Sequence, residues 1–135
     1  RMNDGMGEYI ASQVIKLMID SDIRIRKANV LVLGVTFKEN CPDVRNTKVV
    51  DVIRSLKEYN TNVVIYDPWA SEAEVMREYK LISTKTLPKG RFDAIVLTVA
   101  HNEFKNLDLE LIKNKDSIVY DVKNILAKDK RNKAL

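Results

Sequence analysis

The stretch Val30-Leu31-Val32-Leu33-Gly34-Val35-Thr36-Phe37-Lys38-Glu39-Asn40-Cys41-Pro42-Asp43-Val44-Arg45 decides how this chain is read. Together with Asn29 its first part is a short, continuous apolar run rich in valine. Such a run predicts a strand covered on both faces, as in a parallel sheet. The second part, from Thr36, is a loop carrying Phe37, Lys38 and Arg45. An aromatic ring can cover a flat base or sugar. Lysine is a compact charge suited to phosphate, and arginine can make a fork of two hydrogen bonds. On composition alone the loop reads at least as well as ordinary solvated charge.

Outward from this stretch, strand and helix alternate. Before it, residues 6–22 have helical periodicity, with Met6, Ile10, Val14, Leu17 and Met18 on one face and Ala11, Ile15 and Ile19 widening the arc. An arc that wide predicts cover on more than one side, from another domain or another subunit; burial wholly within this domain is the plainer reading. After it, Asn46 or Thr47 can cap a helix with Val49, Val50, Ile53 and Leu56 inward. A strand over 63–66 ends at Asp67-Pro68, and Ser71 caps a shorter helix with Glu72 and Glu74 in its first turn. Residues 79–91 are poorly patterned. A strand over 94–99, a short helix over 104–113 and a strand over 117–122 follow. The alternation predicts an α/β fold: a doubly wound, mostly parallel sheet with helices on both faces, preceded by a long helix. The basic tail from Lys128 to Lys133 reads as a solvated, disordered end.

The length of 135 residues suits one domain with a real core. No apolar run approaches the ~20 residues of a membrane span. Cys41 is the only cysteine and His101 the only histidine, so neither an internal disulfide nor a Cys/His metal site is expected. A reduced, cytoplasmic setting is the simplest. The net charge of +4 leans mildly towards an anionic ligand, but no nucleic-acid recognition motif appears. A phosphorylation-controlled receiver would need an acidic cluster after the first strand, and Gly34-Val35-Thr36-Phe37 offers none.

In open α/β sheets ligands bind beyond the carboxyl ends of the strands. A single glycine, Gly34, follows the first strand, without the G-x-G-x-x-G that lets amides meet a pyrophosphate, so a dinucleotide is not expected in the usual place. Among other candidates, Asp43 and Asp67 suit turn shaping and Cys41 a plain loop position, while Asp121 suits turn shaping or ligand contact equally, Trp69 packing before base stacking, and His101 capping before ligand contact.

The motif from Val32 to Asn46, G-x-x-F-K followed by D-x-R, resembles the signature opening the C-terminal domain of UDP-glucose/GDP-mannose dehydrogenases. Asn3-Asp4 before the long helix, Tyr66-Asp67-Pro68, Ala100-His101-Asn102-Glu103-Phe104 and Asp121-Val122-Lys123 agree in order. The wording of Phe37 to Arg45 is most similar to the branch that oxidises UDP-N-acetylhexosamines for bacterial polysaccharides. The resemblance implies a Rossmann-like UDP-sugar-binding C-terminal domain over residues 27–135, with 1–26 the end of a central connecting and dimerisation helix. It implies that the parent is an NAD-dependent 6-dehydrogenase working through a cysteine thioester. The catalytic cysteine, its partners and the NAD-binding domain are expected upstream of Arg1, leaving no catalytic residue here and a fragment inactive alone. Phe37, Lys38 and, less directly, Lys123 are implied as substrate contacts, and Arg45 as a contact to NAD held by the other domain. Expected partners are the UDP-sugar, the N-terminal and central domains, and further copies in a homo-oligomer, with no nucleic acid and no membrane. The alternative is a stand-alone nucleotide- or phosphate-binding α/β module without catalysis.

Overall fold

The computed structural model describes residues 2–135. The apolar run forms β1 (Asn29–Leu33), whose last four residues are all buried. It pairs in parallel with β2 (Asn62–Tyr66) on one side and β4 (Phe92–Leu97) on the other. Outside these lie β3 (Ser83–Thr84), β5 (Lys113–Asp121) and β6 (Lys133–Ala134). The order β3-β2-β1-β4-β5-β6, parallel throughout, is that of a doubly wound Rossmann-like sheet.

Side-chain alternation splits β1 between two cores. Val30 and Val32 join the cluster under α1 (Met6–Asp20) and α2 (Val49–Glu58), to which Val75 of α3 (Glu72–Tyr79) also belongs. Leu31 and Leu33 join a second cluster with Phe104 of α4 (Asn102–Lys105) and Leu109 of a 3₁₀ turn over Leu109–Leu111. Helices thus cover both faces, as the apolar strands require.

The wide arc of α1 is consumed inside this chain. Ile10, Ala11, Val14, Ile15 and Met18 are buried against α2, β4 and β5, because α1 lies in the gap beside α2 that the sheet would otherwise leave open. Of its large apolar side chains only Tyr9 and Ile19 are exposed, so this burial requires no second partner. Gly7 permits the fit: a Cβ there would lie 2.5 Å from the Asp51 Cβ of α2.

Other local expectations change for physical reasons. The Thr47 hydroxyl accepts from the Val49 amide at 3.3 Å at the start of α2, while Asn46 takes a left-handed φ of 58° in the preceding turn. Ser71 caps α3 as expected, accepting from Glu74 N at 3.3 Å. The helix expected over 104–113 is split: Asp108 accepts from Glu110 N and favours a short 3₁₀ turn over a continued helix. The strand β3, only two residues long, is too short to show a period. The tail is not a free end. Asn132 exchanges hydrogen bonds with Val119, its amide donating to the carbonyl and its side-chain oxygen accepting from the amide, and β6 follows on β5. The outer edge of β5 has backbone groups that need partners, and the tail supplies them.

Gly34, next after β1, has a φ of +100°, and a Cβ there would lie 2.5 Å from the Val99 Cβ. Its role is close passage of β1 past the end of β4. Gly34→Ala combines a left-handed backbone with overpacking and is expected to cost roughly 2–4 kcal/mol. Urea unfolding checks this: the midpoint should fall at an unchanged slope.

Candidate functional site

The strand order reverses between β1 and β4, so the chain leaves β1 and β4 in opposite directions and opens a crevice at their carboxyl ends. A cleft of about 280 Å³ lies there. Thr36, Phe37 and Lys38 line it from the loop after β1, Thr98 and Val99 from the end of β4, and Lys123 from beyond β5. Lys48, just before α2, adds a third ammonium, against a single carboxylate, Glu39, in the lining. The cleft is therefore net cationic.

A fifteen-residue loop lined with charge would be floppy unless anchored, and a buried carboxylate anchors this one. Asp67, at the end of β2, has no solvent exposure. Its Oδ2 accepts from the Val35 and Thr36 amides at 2.7 and 3.2 Å and from His101 Nε2 at 3.0 Å. Its Oδ1 accepts from the Trp69 and Ala70 amides at 2.7 and 3.1 Å. Burial pushes the Asp67 carboxyl up. The His101 bond and the Val35 and Trp69 amides outweigh it, and the net displacement is below the ordinary carboxylate range.

His101 is also fully buried, stacked beside Trp69 with ring centroids 6.0 Å apart and tilted against Phe104 at 5.3 Å. It stands at the start of α4, yet its side chain makes no capping bond. The Asn40 amide donates to its Nδ1 at 3.0 Å. A backbone N–H can only donate, so Nδ1 carries a lone pair and the ring proton sits on Nε2, the tautomer assigned by the network. That proton points to Asp67 Oδ2 and is shared with Thr36 Oγ1 at 3.2 Å. The pair is a neutral imidazole donating to a carboxylate.

Of the residues singled out by sequence, Phe37, Lys38 and Lys123 share the cleft, whereas Arg45 does not. Arg45 is exposed and lines a neighbouring depression with Arg54, Glu78 and Tyr79. Its Nε and Nη2 donate to the two Asp43 oxygens at 3.0 and 3.2 Å. That hydrogen bond with Arg45 holds the Asp43 carboxyl below its ordinary value, and Asp43 in turn raises the Arg45 guanidinium. Asp43 also closes its own turn by accepting from the Arg45 amide at 2.9 Å. Asp121, buried, accepts from the Lys123 and Leu126 amides at 3.2 and 2.7 Å and so fixes the turn that presents Lys123. Trp69 is half-buried and donates from Nε1 to Glu103. Cys41 is half-buried in the loop. Sequence reasoning missed Lys48, whose Nζ lies 2.7 Å from Asp4 Oδ1, and the joint role of Asp67 and His101. The signal for that pair was present in outline: polar residues in the turns beyond two strands.

These residues do not fit a dinucleotide in the usual place. The acidic residue after β2, which would meet a ribose, is buried and saturated by five donors. The glycine after β1 is occupied by Val99. Among the described residues no cluster of His, Cys, Asp or Glu could hold a metal ion, and no helix is long and apolar enough to cross a membrane.

Residues 31–128 match the family model of the UDP-glucose/GDP-mannose dehydrogenase family, UDP binding domain. The chain is 48% identical over 133 residues to UDP-N-acetyl-D-glucosamine 6-dehydrogenase of Pseudomonas aeruginosa, covering 96% of this chain and 32% of that protein. It is 44% identical over 129 residues to the Salmonella typhi protein of the same name, covering 93% and 30%. It thus spans about a third of these relatives. In fold it is similar to the UDP-D-ManNAc dehydrogenase of Pyrococcus horikoshii, with a TM-score of 0.74 at 22% identity over 93% of this chain and 29% of that one.

The Asp67 network makes a pH prediction. A lowered folded-state value means that the Asp67 contribution is present above the unfolded value of about 4 and is lost as pH falls through the folded one. Asp67→Asn is expected to cost roughly 3–5 kcal/mol at pH 7. Urea unfolding of both proteins between pH 7 and pH 3 should show that gap narrowing only at the acid end.

Proposed function

Because the chain belongs to the UDP-glucose/GDP-mannose dehydrogenase family and covers its UDP-binding domain, we propose that the cleft after β1 and β4 holds the UDP part of a UDP-sugar. The observation that carries this is convergence: Lys38, Lys48 and Lys123 meet in one crevice that Phe37 helps to wall. Lys38 and Lys123 reach the diphosphate from separate elements, one from the loop after β1 and the other from beyond β5. Phe37 offers an apolar face to the uracil or a sugar ring. Lys48 adds charge at the mouth, where Asp4 holds it.

The parent protein, on this reading, is an NAD-dependent UDP-N-acetylhexosamine 6-dehydrogenase of polysaccharide biosynthesis, cytoplasmic and homo-oligomeric. Residues 1–26 are the end of its connecting helix, and residues 27–135 its UDP-sugar domain. NAD belongs, on this reading, to a separate N-terminal domain, since the glycine and the acid that the usual dinucleotide site needs are already engaged here. Arg45, exposed and outside the cleft lining, is the residue of this chain that would face that cofactor. This chain's share of the chemistry is binding and orientation: it fixes the nucleotide end so that the sugar projects towards the other domain.

The test is calorimetric titration of the chain with UDP. Lys38→Ala removes a charge-assisted contact worth about 1.5–3 kcal/mol, so affinity should fall tenfold or more. Arg45→Ala should bind UDP within about twofold of wild type, because its side chain lies outside the cleft. No binding at millimolar UDP, or wild-type binding by Lys38→Ala, defeats the assignment.

A further inference from the structure

We propose that His101 is a positioning residue for the cleft: its two ring nitrogens fix the loop that presents Phe37 and Lys38. This rests on the UDP-binding reading above. His101 is fully buried and does not line the cleft, so it acts only through what it holds.

Two connections run from the ring to the loop. Through Nε2–H it reaches Thr36 Oγ1 at 3.2 Å, and that hydroxyl spends its own proton on the Lys38 carbonyl at 2.9 Å. The orientation of the imidazole is thus passed in two hydrogen bonds to the Lys38 main chain. Through Nδ1 it accepts the Asn40 amide at 3.0 Å. Asn40 answers from its side chain, its Oδ1 accepting from the Asn102 amide at 2.9 Å beside His101. Residue 40 takes a left-handed φ of 53°, a conformation asparagine tolerates and one that turns its amide inward. Between these anchors lie only Phe37, Lys38 and Glu39, with the Phe37 amide tied to the Asp43 carbonyl at 2.7 Å.

An apolar ring would fill the same space between Trp69 and Phe104 without the cost of desolvating two nitrogens. Packing therefore does not account for an imidazole here. The hydrogen-bond pattern does: a group that donates on one side to a carboxylate and accepts on the other from a backbone amide is what a neutral histidine supplies and phenylalanine does not.

The experiment titrates the chain with UDP in wild type, His101→Phe, His101→Asn, Asn40→Gly and Lys38→Ala, with thermal unfolding and amide exchange of residues 36–40 recorded in parallel. His101→Phe keeps an aromatic ring, somewhat larger, and removes both anchors. It should weaken UDP about tenfold and speed exchange in residues 36–40 while exchange in β1 and β4 stays slow. His101→Asn can still accept the Asn40 amide and should recover part of the affinity. Asn40→Gly tolerates the left-handed backbone, loses only the bond to Asn102, and should fall between. A purely structural histidine would lower the melting temperature of His101→Phe but leave the affinity of the folded protein, and the exchange of residues 36–40, at wild-type values; that result overturns the proposal. Should His101→Phe not fold, wild-type affinity and exchange in His101→Asn, which loses the Nε2 donor to Asp67 and Thr36, overturn it instead. Lys38→Ala separates the two claims. If it binds as wild type, the site assignment fails and this inference with it. If it loses UDP while folded His101→Phe and Asn40→Gly do not, only the positioning role is lost.

Discussion

The carboxylate of Asp67 holds together what the sheet alone would leave apart. A parallel sheet delivers its strand ends to one edge but leaves each following loop free to choose its path. Asp67 removes that freedom by accepting five donors from three directions: the loop after β1, its own turn after β2, and His101 after β4. Burying a carboxylate is costly, and this one is tolerated because each oxygen meets at least two donors. The return on that cost is a rigid rim for the crevice at the switch point. Apolar packing, which has no direction, could not set such a rim.

The same arrangement explains how a sheet with the topology of a dinucleotide-binding domain comes to lack that site. The usual site needs an open glycine-rich turn after the first strand and a free acid after the second. Here Gly34 is spent on the passage past Val99, and Asp67 is spent on the loop. What remains accessible at the switch point is a pocket with three lysines and an aromatic ring. That suits a compact anionic group joined to a flat one, and it assigns the loop two outward faces. One carries Phe37 and Lys38 into the cleft; the other carries Arg45, already paired with Asp43, outside its lining.

Helix α1 shows how burial patterns can be misassigned to partners. Its apolar arc is wider than a surface helix needs, which suggests an interface. Yet Gly7 lets it approach α2 so closely that both sides of the arc find cover within one chain, on α2 and on the sheet. An arc width measures how much must be covered, not by whom.

By itself the sequence determined the class of the fold, the central strands, most helices and the loop that matters. Period and β-branched content are local signals, and strands buried on both faces print them strongly: Val30 to Leu33 could be little else. The motif from Gly34 to Arg45 likewise carried its family in plain order. Only the tertiary structure decided which of these residues share a site. Lys123 meets Lys38 across 85 positions of chain, and Lys48 joins them, while Arg45, nearer in sequence, stays outside the lining. It also decided that His101 neither caps its helix nor meets the cleft, because its role is fixed by partners 34 and 61 residues away in sequence. The tail, read as loose, pairs with β5 because an edge strand's unpaired backbone, invisible in any local window, gives it a place. Periodicity reports which faces must be buried; the pairing of polar groups across the chain is settled only when those faces have met.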